Sequence, residues 1–324
     1  MEGSTADSEP RNGPALAVVL AAGDGTRMAP LTPERPKALL PTLDTPQLAW
    51  VLASVARAGA EQVFVNCHSG CDLIVAAAEE ASRRLPVNVS FSPEPTARLG
   101  TAGALHALAS KLTGPFLVAN ADIATDFPIE RLIEAHRSAQ APATLLAIPA
   151  EDGADLIVEE SWVIDLIDRR EQVRSGHRYG GVAIFEPEVL ELIPAGVSGL
   201  YETVMKGLVR AHRGLAAMEW DGYWVDVGSP RDHLKVNLDV LAGRRDPKVV
   251  SEAATEDCER WDVVAYVGQG AMVDDVELRH TVVGRGAQIA AGSRLERCVV
   301  WDGARLERGH YREAILTPAQ VLKL

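Results

Sequence analysis

The sequence predicts an α/β protein in two parts, a doubly wound and mostly parallel sheet followed by a short parallel β-helix. Two patterns carry this prediction. Apolar strand patterns alternate with helical patterns along the first half of the chain, and a six-residue apolar repeat marks the carboxyl-terminal region. The 324 residues, of which 47% are hydrophobic and 24% charged, are enough for two globular domains.

The first domain is expected to begin after a disordered tail, because residues 1–14 are polar and lack an apolar period. From Ala15, the strand ALAVVLAA is followed by a helix that closes at Gly59, the strand QVFVN, a helix after Asp72 and the strand VNVSF. A further helix, the strand FLVAN and a helix after Pro128 continue the pattern. This alternation predicts a parallel sheet with helices on both faces.

The second half of this domain is expected to extend the same sheet. After Ala143 the pattern shortens into the strands ATLLAI, WVIDLI, GVAIF and YWVDV, with one helix around residues 204–212. The SPRD motif that starts at Ser229 supplies an N-cap, a proline at the first helical position and an acidic third residue. A helix should therefore run from there to Gly243, which ends a first domain of residues 15–243.

The second domain follows a charged linker, residues 244–262, and comprises residues 263–324. Its apolar residues recur every six positions, with glycines in the turns between them. The apolar members are Val283, Ile289 and Leu295, and the glycines are Gly286 and Gly292. Three such units complete one coil of a parallel β-helix, and roughly three coils fit in this domain.

Composition limits the partners and the compartment. A net charge of −13 leads us to expect neither nucleic acid nor a membrane as a partner. The four cysteines form no CxxC pair, and the amino terminus has no signal-peptide pattern. Cys67 and Cys71 are thus predicted to be structural thiols rather than part of a metal site, in a reducing cytoplasm.

The strongest functional pattern is the segment LAAGDGTRMAPLTPERPKALLP, residues 20–41, directly after the first strand. Its glycines let the backbone come close to a ligand, and N–H groups in such a turn bind phosphate oxygens. Arg27 and Lys37 supply the balancing positive charge. The third glycine of the dinucleotide fingerprint is absent, and Lys37 lies too far beyond Gly25 for a P-loop, so neither motif accounts for the segment.

Two aspartates complete the candidate chemistry. Asp122 in LVANADIATDF and Asp226 in YWVDVGSP each follow a predicted apolar strand. Ligands of open α/β sheets bind beyond the carboxyl ends of the strands. Because Mg²⁺ is usually held by one or two carboxylates together with substrate phosphates, we predict a Mg²⁺ site on Asp122 and Asp226.

These residues together resemble the sugar nucleotidyltransferase family, whose members join a nucleoside triphosphate to a sugar 1-phosphate. Residues 20–41 match the family signature LAAGxGTRLxPLTxxxPKxLLP at nearly every fixed position, and the resemblance extends over residues 15–243. The chain looks most like the mannose-1-phosphate and heptose-1-phosphate guanylyltransferases. Many members carry a left-handed parallel β-helix at the carboxyl end, which is similar to the predicted second domain.

The resemblance implies an in-line attack of the sugar 1-phosphate on the α-phosphorus of the nucleotide, with pyrophosphate leaving. Asp122 and Asp226 would hold Mg²⁺, Arg27 would bind the leaving pyrophosphate, and Lys37 would screen the two approaching anions. The residues implied to bind the nucleotide are Leu20, Ala22, Gly23, Gly25, Thr26, Glu94, Gly100, Thr101, Gly103 and Asn120.

The implied sugar-phosphate site departs from the family pattern. Gly181 and Glu202 match the sugar-contacting glycine and glutamate of the family. Many relatives have an EKP motif where this chain has IDRREQ, so Arg169 or Arg170 is expected to bind the phosphate, bidentately rather than as a point charge. The residue before the first metal-binding aspartate, usually glycine, is Ala121.

Glu94 predicts guanine as the base. Uridine- and thymidine-using relatives often place a glutamine at this position, whereas an ionised carboxylate only accepts hydrogen bonds. Guanine offers two adjacent donors, N1–H and the 2-amino group, which suit a carboxylate. The motif LGTAGA at residues 99–104 also looks like the guanylyltransferases, so GTP is the expected nucleotide and a uridylyl- or other nucleotide-specific transferase is the alternative.

Two other functions are alternatives to this one, a ligand-sensing relative and an acyltransferase. Some relatives lose catalysis and only sense ligands, but all four charged site residues are present here, which favours an enzyme. A hexapeptide acyltransferase would need a base, for which His280 and His310 are candidates, yet an isolated histidine is more often exposed or packed. We instead expect the β-helix to assemble a homo-oligomer. The sequence leaves mannose, a heptose or a sugar-like alcohol open as the phosphorylated acceptor.

Overall fold

The computed structural model describes residues 13–167, 175–210, 214–245 and 258–324, and in these ranges it has 22 strands and six α-helices. The strands are β1 (Leu16–Leu20), β2 (Pro41–Thr42), β3 (Thr45–Pro46), β4 (Gln62–Cys67), β5 (Asn88–Pro93), β6 (Phe116–Asn120), β7 (Ile123–Thr125), β8 (Ala143–Ala150), β9 (Leu156–Glu159), β10 (Trp162–Leu166), β11 (Gly176–Phe185), β12 (Ala216–Glu219), β13 (Trp224–Asp226), β14 (Cys258–Trp261), β15 (Ala265–Gly268), β16 (Glu277–Arg279), β17 (Thr281–Val283), β18 (Gln288–Ile289), β19 (Arg294–Val300), β20 (Arg305–Leu306), β21 (His310–Leu316) and β22 (Val321–Lys323). The helices are α1 (Gln47–Arg57), α2 (Cys71–Ser82), α3 (Gly100–Ala107), α4 (Ile129–Ala139), α5 (Lys206–Arg210) and α6 (Pro230–Leu241). The expected tail up to residue 12, the linker residues 246–257, and Arg169 with Arg170 lie outside the described residues.

The main sheet has nine strands in the order β5-β4-β1-β6-β11-β8-β12-β10-β9. Its first four strands are parallel to one another, as the βαβ pattern predicts. The expectation of a mostly parallel sheet is wrong for the other half, because β11 runs antiparallel between β6 and β8. In addition, Glu160 and Ser161 form a tight turn at positive φ, so β9 and β10 pair as an antiparallel hairpin.

Helices cover both faces of this sheet, which makes the doubly wound description correct. Alternate residues of β1 point to opposite faces: Ala17 and Val19 pack into one core, and Val18 packs into the other. The first core contains the apolar stripes of α1, α2 and α4, and the second contains those of α3 and α5. None of the helices in the described ranges has the length and hydropathy of a membrane span.

The carboxyl-terminal unit is a stack of parallel strands, β15, β17, β19 and β21. Ala265 lies beside Thr281 and Val282 beside Val299, so the chain returns to the same side after 16 or 17 residues. This period is shorter than the roughly eighteen residues that three six-residue units would give. The expected apolar residues, Val283, Ile289 and Leu295, are buried inside the stack.

Residues at positive φ turn the chain at the corners of each coil. One column of corners is made of glycines, as the sequence predicted for Gly286, and another contains the predicted Gly292. A third column is made of His280, Arg297 and Glu313, which are not glycines and gave no turn pattern in the sequence. The antiparallel strands β14 and β22 close the stack, and β14 lies where a linker was expected.

A shared apolar core joins the two units. Leu234 and Leu238 of α6 pack with buried side chains from residues 28–43 and from the inner strands of the stack. The contributors from the second unit are Tyr266, Val282, Val299, Trp301 and Ile315. The second unit is therefore packed directly behind the segment that carries Arg27 and Lys37.

Cys67 and Cys71 form a disulfide, so the prediction of structural thiols is wrong for this pair. Cys67 ends β4 and Cys71 begins α2. The chain reverses at Gly70, which has φ of 65° and caps α2, and this turn brings the two cysteines together.

Candidate active site

The glycine-rich loop follows the carboxyl end of β1 and turns at Gly25. This residue has φ of 59°, and a Cβ there would lie 2.8 Å from Cγ2 of Thr32 and 2.9 Å from Cβ of Lys37. Any side chain at Gly25 would thus be strained and would push Lys37 away. Met28, at the end of the following 3₁₀ turn, is fully buried and anchors the loop, whereas Arg27 is exposed.

The four residues predicted to be catalytic come together beside this loop, at the carboxyl end of β1. The Lys37 Nζ donates to Oδ2 of Asp122 at 2.6 Å and contacts Oδ1 of Asp226 at 3.5 Å. Nη2 of Arg27 lies 3.5 Å from Oδ2 of Asp226, and its guanidinium rests over Gly228, where a Cβ would come within 3.0 Å. One ammonium thus contacts two carboxylates that are 104 residues apart in the sequence.

A two-stranded ribbon sets the distance between the two aspartates. β7 and β13 pair antiparallel, with Asp226 opposite Ile123, and the Val227 amide donates to the Asp122 carbonyl at 3.0 Å. The buried Gln47 amide holds the ribbon from α1 by donating to the Ile123 carbonyl at 2.8 Å. Gln47 was not among the predicted site residues, since nothing in a helix pattern shows that a glutamine will contact a strand.

A cavity of about 170 Å³, here called the loop cavity, lies beside the glycine-rich loop. It is lined by Leu20, Ala22, Gly23, Asn66, Glu94, Arg98, Gly100, Thr101, Asn120 and Asp122. Most of the residues predicted to bind a nucleotide are in this list, and Asn66 and Arg98 are additions to them. Another cavity, of about 320 Å³ between α1 and α4, is lined by none of the predicted site residues.

Glu94 is buried at 3% exposure, and the protein already occupies both of its carboxylate oxygens. Nδ2 of Asn66 donates to Oε1 at 2.8 Å, and the Leu99 amide donates to Oε2 at 2.7 Å. Oδ1 of Asn66 in turn accepts from the Ala21 amide at 2.7 Å. This chain of hydrogen bonds links the start of the loop to the start of α3, while each carboxylate oxygen keeps a second lone pair for a ligand.

The residues of α3 that were predicted to bind the nucleotide also contact residues 196–200. A Cβ at Gly100 would clash with the Ser198 carbonyl, which accepts from the Gly103 amide at 3.2 Å. The Thr101 hydroxyl accepts from the Leu200 amide at 2.9 Å. Gly103, together with Gly25 and Thr26 of the loop, does not line the cavity; Gly103 faces the carbonyl of Gly196, 2.5 Å from a Cβ placed there.

The predicted sugar-phosphate residues lie beside the ribbon, as far as the structure describes them. Gly181 has φ of 76°, and a Cβ there would lie 2.5 Å from Cγ1 of Ile123 and 3.2 Å from Nδ2 of Asn120. Glu202 is exposed in a π-turn, with its carboxylate folded over Gly199. Arg169 and Arg170 are outside the described residues.

An ion pair joins the wall of the loop cavity to the glycine-rich loop. Nη2 of Arg98 lies 2.7 Å from Oδ2 of Asp24, and the two side chains are 51% and 34% exposed. Asp24 belongs to the glycine-rich loop and Arg98 to the segment before α3. An exposed pair of this kind contributes little to stability, so either side chain is available to a charged ligand.

The chain is similar to known proteins over most of its length. The sequence model of the family described as "Nucleotidyl transferase" matches residues 16–243. The mannose-1-phosphate guanylyltransferase of Mycobacterium tuberculosis is 30% identical over 300 residues, which cover 90% of this chain and 81% of that protein. Mannose-1-phosphate guanylyltransferase 1 of Arabidopsis thaliana is 27% identical over 307 residues, with 90% and 82% covered.

A solved structure supports the fold alone. A putative glucose-1-phosphate thymidylyltransferase from Bacillus anthracis superposes with a TM-score of 0.61 at 19% identity. The superposition covers 72% of this chain and 96% of that one.

Proposed function

Since the chain belongs to the nucleotidyl transferase family, we propose that it is a sugar-1-phosphate guanylyltransferase, which joins GTP to a sugar 1-phosphate and releases pyrophosphate. The observation that carries this proposal is the convergence of four charged residues at the edge of the loop cavity. Relatives named mannose-1-phosphate guanylyltransferase are similar over 90% of the chain, which supports guanine as the base and mannose as the sugar.

A divalent cation, which we take to be Mg²⁺, fits between Asp122 and Asp226. Both side chains offer carboxylate oxygens, are 30% and 36% exposed, and already share one cationic group, the ammonium of Lys37. The described part of the chain brings no group of three or more His, Cys, Asp and Glu together, so phosphate and water oxygens would complete the coordination shell. When bound, the ion neutralises charge on the reacting phosphates.

The protein's own residues account for the remaining steps. An oxygen of the sugar 1-phosphate attacks the α-phosphorus in line, and the bond to the bridging oxygen of the β-phosphate breaks. Arg27 is 72% exposed and can turn to the leaving pyrophosphate, while the loop amides bind its oxygens. Lys37 is placed to reduce the repulsion between the two anions, so that catalysis rests on positioning and charge rather than on a covalent intermediate.

The base is assigned to the loop cavity, where Glu94 lies. The spare lone pairs of its two oxygens can accept the N1–H and 2-amino groups of guanine. Because the protein donors Asn66 and Leu99 fix both oxygens, the carboxylate is held ready for that pair of donors. We keep a uridylyltransferase as the alternative, since backbone groups of the cavity could also select the base.

The carboxyl-terminal unit is proposed to be a left-handed parallel β-helix that assembles a homo-oligomer, following a domain of residues 15–243. The parallel stack and its three columns of turns support this proposal. His280 and His310 are both exposed on the stack, which gives no support to an acyltransferase site. The cytoplasmic location stays a prediction.

The test is pyrophosphate release from a grid of GTP, UTP, dTTP and ATP against the 1-phosphates of mannose, glucose and a heptose, with Mg²⁺. We expect GTP with mannose 1-phosphate to give the highest kcat/KM. Release with UTP at or above the GTP rate would overturn the guanine assignment. A chain that binds GTP but releases no pyrophosphate with any acceptor would instead be a non-catalytic relative.

A further inference from the structure

Lys37 occupies an unusual position for a side chain expected to bind phosphate. Its ammonium lies between the two carboxylates of the proposed metal site, 2.6 Å from Oδ2 of Asp122 and 3.5 Å from Oδ1 of Asp226. The side chain is only 10% exposed, although both aspartates are partly open to solvent. A short, charge-assisted hydrogen bond in a largely desolvated position is among the stronger contacts of this kind.

A divalent cation needs the same oxygens. Mg²⁺ and Mn²⁺ bind carboxylates directly, and the described residues offer them only this pair of aspartates at the site. An ammonium and a divalent ion held by the same two side chains would repel each other strongly at such short range. Lys37 and the metal therefore cannot both keep their best positions.

The stem of Lys37 shows where the ammonium can go. Its Cβ and Cδ pack against Gly25 of the glycine-rich loop, within 2.9 and 3.6 Å of a Cβ placed on that glycine. Rotation about the terminal bonds of the side chain moves Nζ away from the carboxylates while this stem stays in place beside the glycine-rich loop. The loop is where the phosphates of the nucleotide are expected.

We propose that Lys37 is a built-in competitor of the metal, which holds the site between Asp122 and Asp226 until nucleotide phosphates offer its ammonium another partner. This inference rests on the proposed metal pair. It makes metal and nucleotide binding cooperative: the phosphates withdraw Lys37, and its departure frees the carboxylates. The protein alone then has low affinity for the metal, and removal of the lysine raises that affinity.

Arg27 and the conservative variant of Lys37 provide matched controls. Arg27 approaches Asp226 at 3.5 Å but is 72% exposed, so its charge is screened by water and competes weakly. The Lys37→Arg variant keeps the positive charge at the site. The Lys37→Met variant keeps the length of the stem and removes the charge, and Lys37→Gln is a second neutral variant in case methionine disturbs folding.

The experiment measures Mn²⁺ binding to the full chain without nucleotide or sugar, from the electron paramagnetic resonance signal of free Mn²⁺. We expect Lys37→Met and Lys37→Gln to bind Mn²⁺ about tenfold more tightly than the natural chain, or better. Arg27→Met and Lys37→Arg should stay within about threefold of the natural chain. Asp122→Asn should bind it more weakly, and circular dichroism establishes that each variant is folded.

The outcomes separate this inference from the proposed function. If the neutral Lys37 variants bind Mn²⁺ no better than the natural chain while Asp122→Asn binds it worse, the competition is wrong and the metal pair stands. If adding Asp122→Asn to the Lys37→Met variant does not weaken its Mn²⁺ binding, the metal pair itself is wrong. Tighter binding in both neutral variants, but not in Lys37→Arg, supports the competition.

Discussion

The active site and the junction between the two units both use residues 25–44, yet they hold charged groups in opposite ways. At the site, the ion pairs of Asp226 with Arg27 and Lys37 are long, at 3.5 Å, and the aspartate is partly exposed. At the junction, polar groups are buried and hydrogen-bonded to one another. The comparison indicates that a backbone segment held rigidly by a buried junction can carry charged side chains that are free to exchange partners.

The centre of the junction is Trp301, which is 1% exposed. Its Nε1 donates to Nε2 of His233 at 3.2 Å, and the Arg35 guanidinium lies 4.9 Å from the centre of its ring. Arg35 also pairs with Asp302 at 2.8 Å. Burial, with a smaller contribution from the charge of Arg35, lowers the pKa of His233 to about 3. This histidine is therefore neutral at physiological pH and serves as a fixed acceptor.

The shared segment is tied to the second unit on both sides of Lys37. Thr317 and Gln320 donate to Oε1 of Glu34 at 2.8 and 2.7 Å. Further along, the Tyr266 hydroxyl and the Arg285 amide donate to the carboxylate of Asp44 at 3.0 and 2.9 Å. The backbone on both sides of Lys37 is thus held from behind, which leaves its ammonium as the movable part.

The largest effect on activity, with little effect on stability, is expected when a site aspartate is neutralised. Asp122→Asn or Asp226→Asn should lower kcat by about 10³-fold or more, the size of losing a preorganised electrostatic contact. The melting temperature should change by only a few degrees, because partly exposed ion pairs contribute about 0–1 kcal/mol. Pyrophosphate release measures kcat, and a thermal melt of the same preparation measures the melting temperature. Natural rates in either variant would contradict the site.

The opposite result is expected at the junction. Trp301→Ala removes a buried ring and leaves the His233 acceptor unpaired, so the free energy of unfolding should fall by about 3 to 5 kcal/mol. Below its lower melting temperature, the folded variant should keep kcat within about threefold, since Trp301 touches none of the four charged site residues. Urea unfolding measures the first effect and pyrophosphate release the second. A variant of natural stability would show that the junction is not a shared core.

The sequence predicts the site better than it predicts the sheet. The glycine-rich segment and two aspartates identified four residues that the structure brings together, Arg27, Lys37, Asp122 and Asp226. However, Asp226 reaches the site on the ribbon of β7 and β13 and not on the main sheet, where the sequence had placed its strand. The contact of the Lys37 ammonium with the two aspartates could not be predicted, since it depends on distances between β7, β13 and the loop. Glu94 was predicted as a base-contacting residue, whereas its own protein partners come from two other segments.

Sequence patterns could not predict the strand directions in the mixed half of the sheet or the number of residues per coil in the second unit. Periodicity predicts that β8, β10 and β11 are strands, but it carries no information on their order or direction. In the second unit, glycine marks only some of the corners. At His280 and Arg297 a non-glycine residue takes positive φ because the neighbouring coils hold it there, so its residue type gave no signal.

Glu94 shares features of both regions: it is buried and accepts a protein hydrogen bond at each carboxylate oxygen, yet it lies in the wall of the loop cavity. Glu94→Gln leaves one side-chain oxygen for two protein donors, and its amide would donate toward the donors of guanine. We expect kcat/KM for GTP relative to UTP to fall by about ten- to a hundredfold, the size of one charge-assisted hydrogen bond. Asn66→Ala removes the donor to Oε1 but keeps the carboxylate, so it should lower the same ratio to a smaller extent. An unchanged ratio in Glu94→Gln would remove Glu94 from base selection.

The smallest expected effect is the pH dependence that neutral His233 gives to the junction. Its pKa is about 3 in the folded protein and near 6.5 when unfolded, so between these values the unfolded chain binds the extra proton. The free energy of unfolding should therefore fall as pH drops below about 6.5, by up to about 1.4 kcal/mol per unit, and be independent of this group above it.

The matched variant for this effect is His233→Gln, which keeps an acceptor for Trp301 but does not titrate. Burial also raises the pKa of Asp44, which stabilises the protein as pH falls, and lowers the pKa of His136, which acts in the same direction as His233. Both groups are present in the natural chain and in the variant, so the difference between the two isolates His233. Urea unfolding at pH 7.5 and 5.5 should show a smaller loss of stability in His233→Gln. Equal losses in both proteins would mean that His233 is protonated in the folded state, and that the junction holds charge much as the active site does.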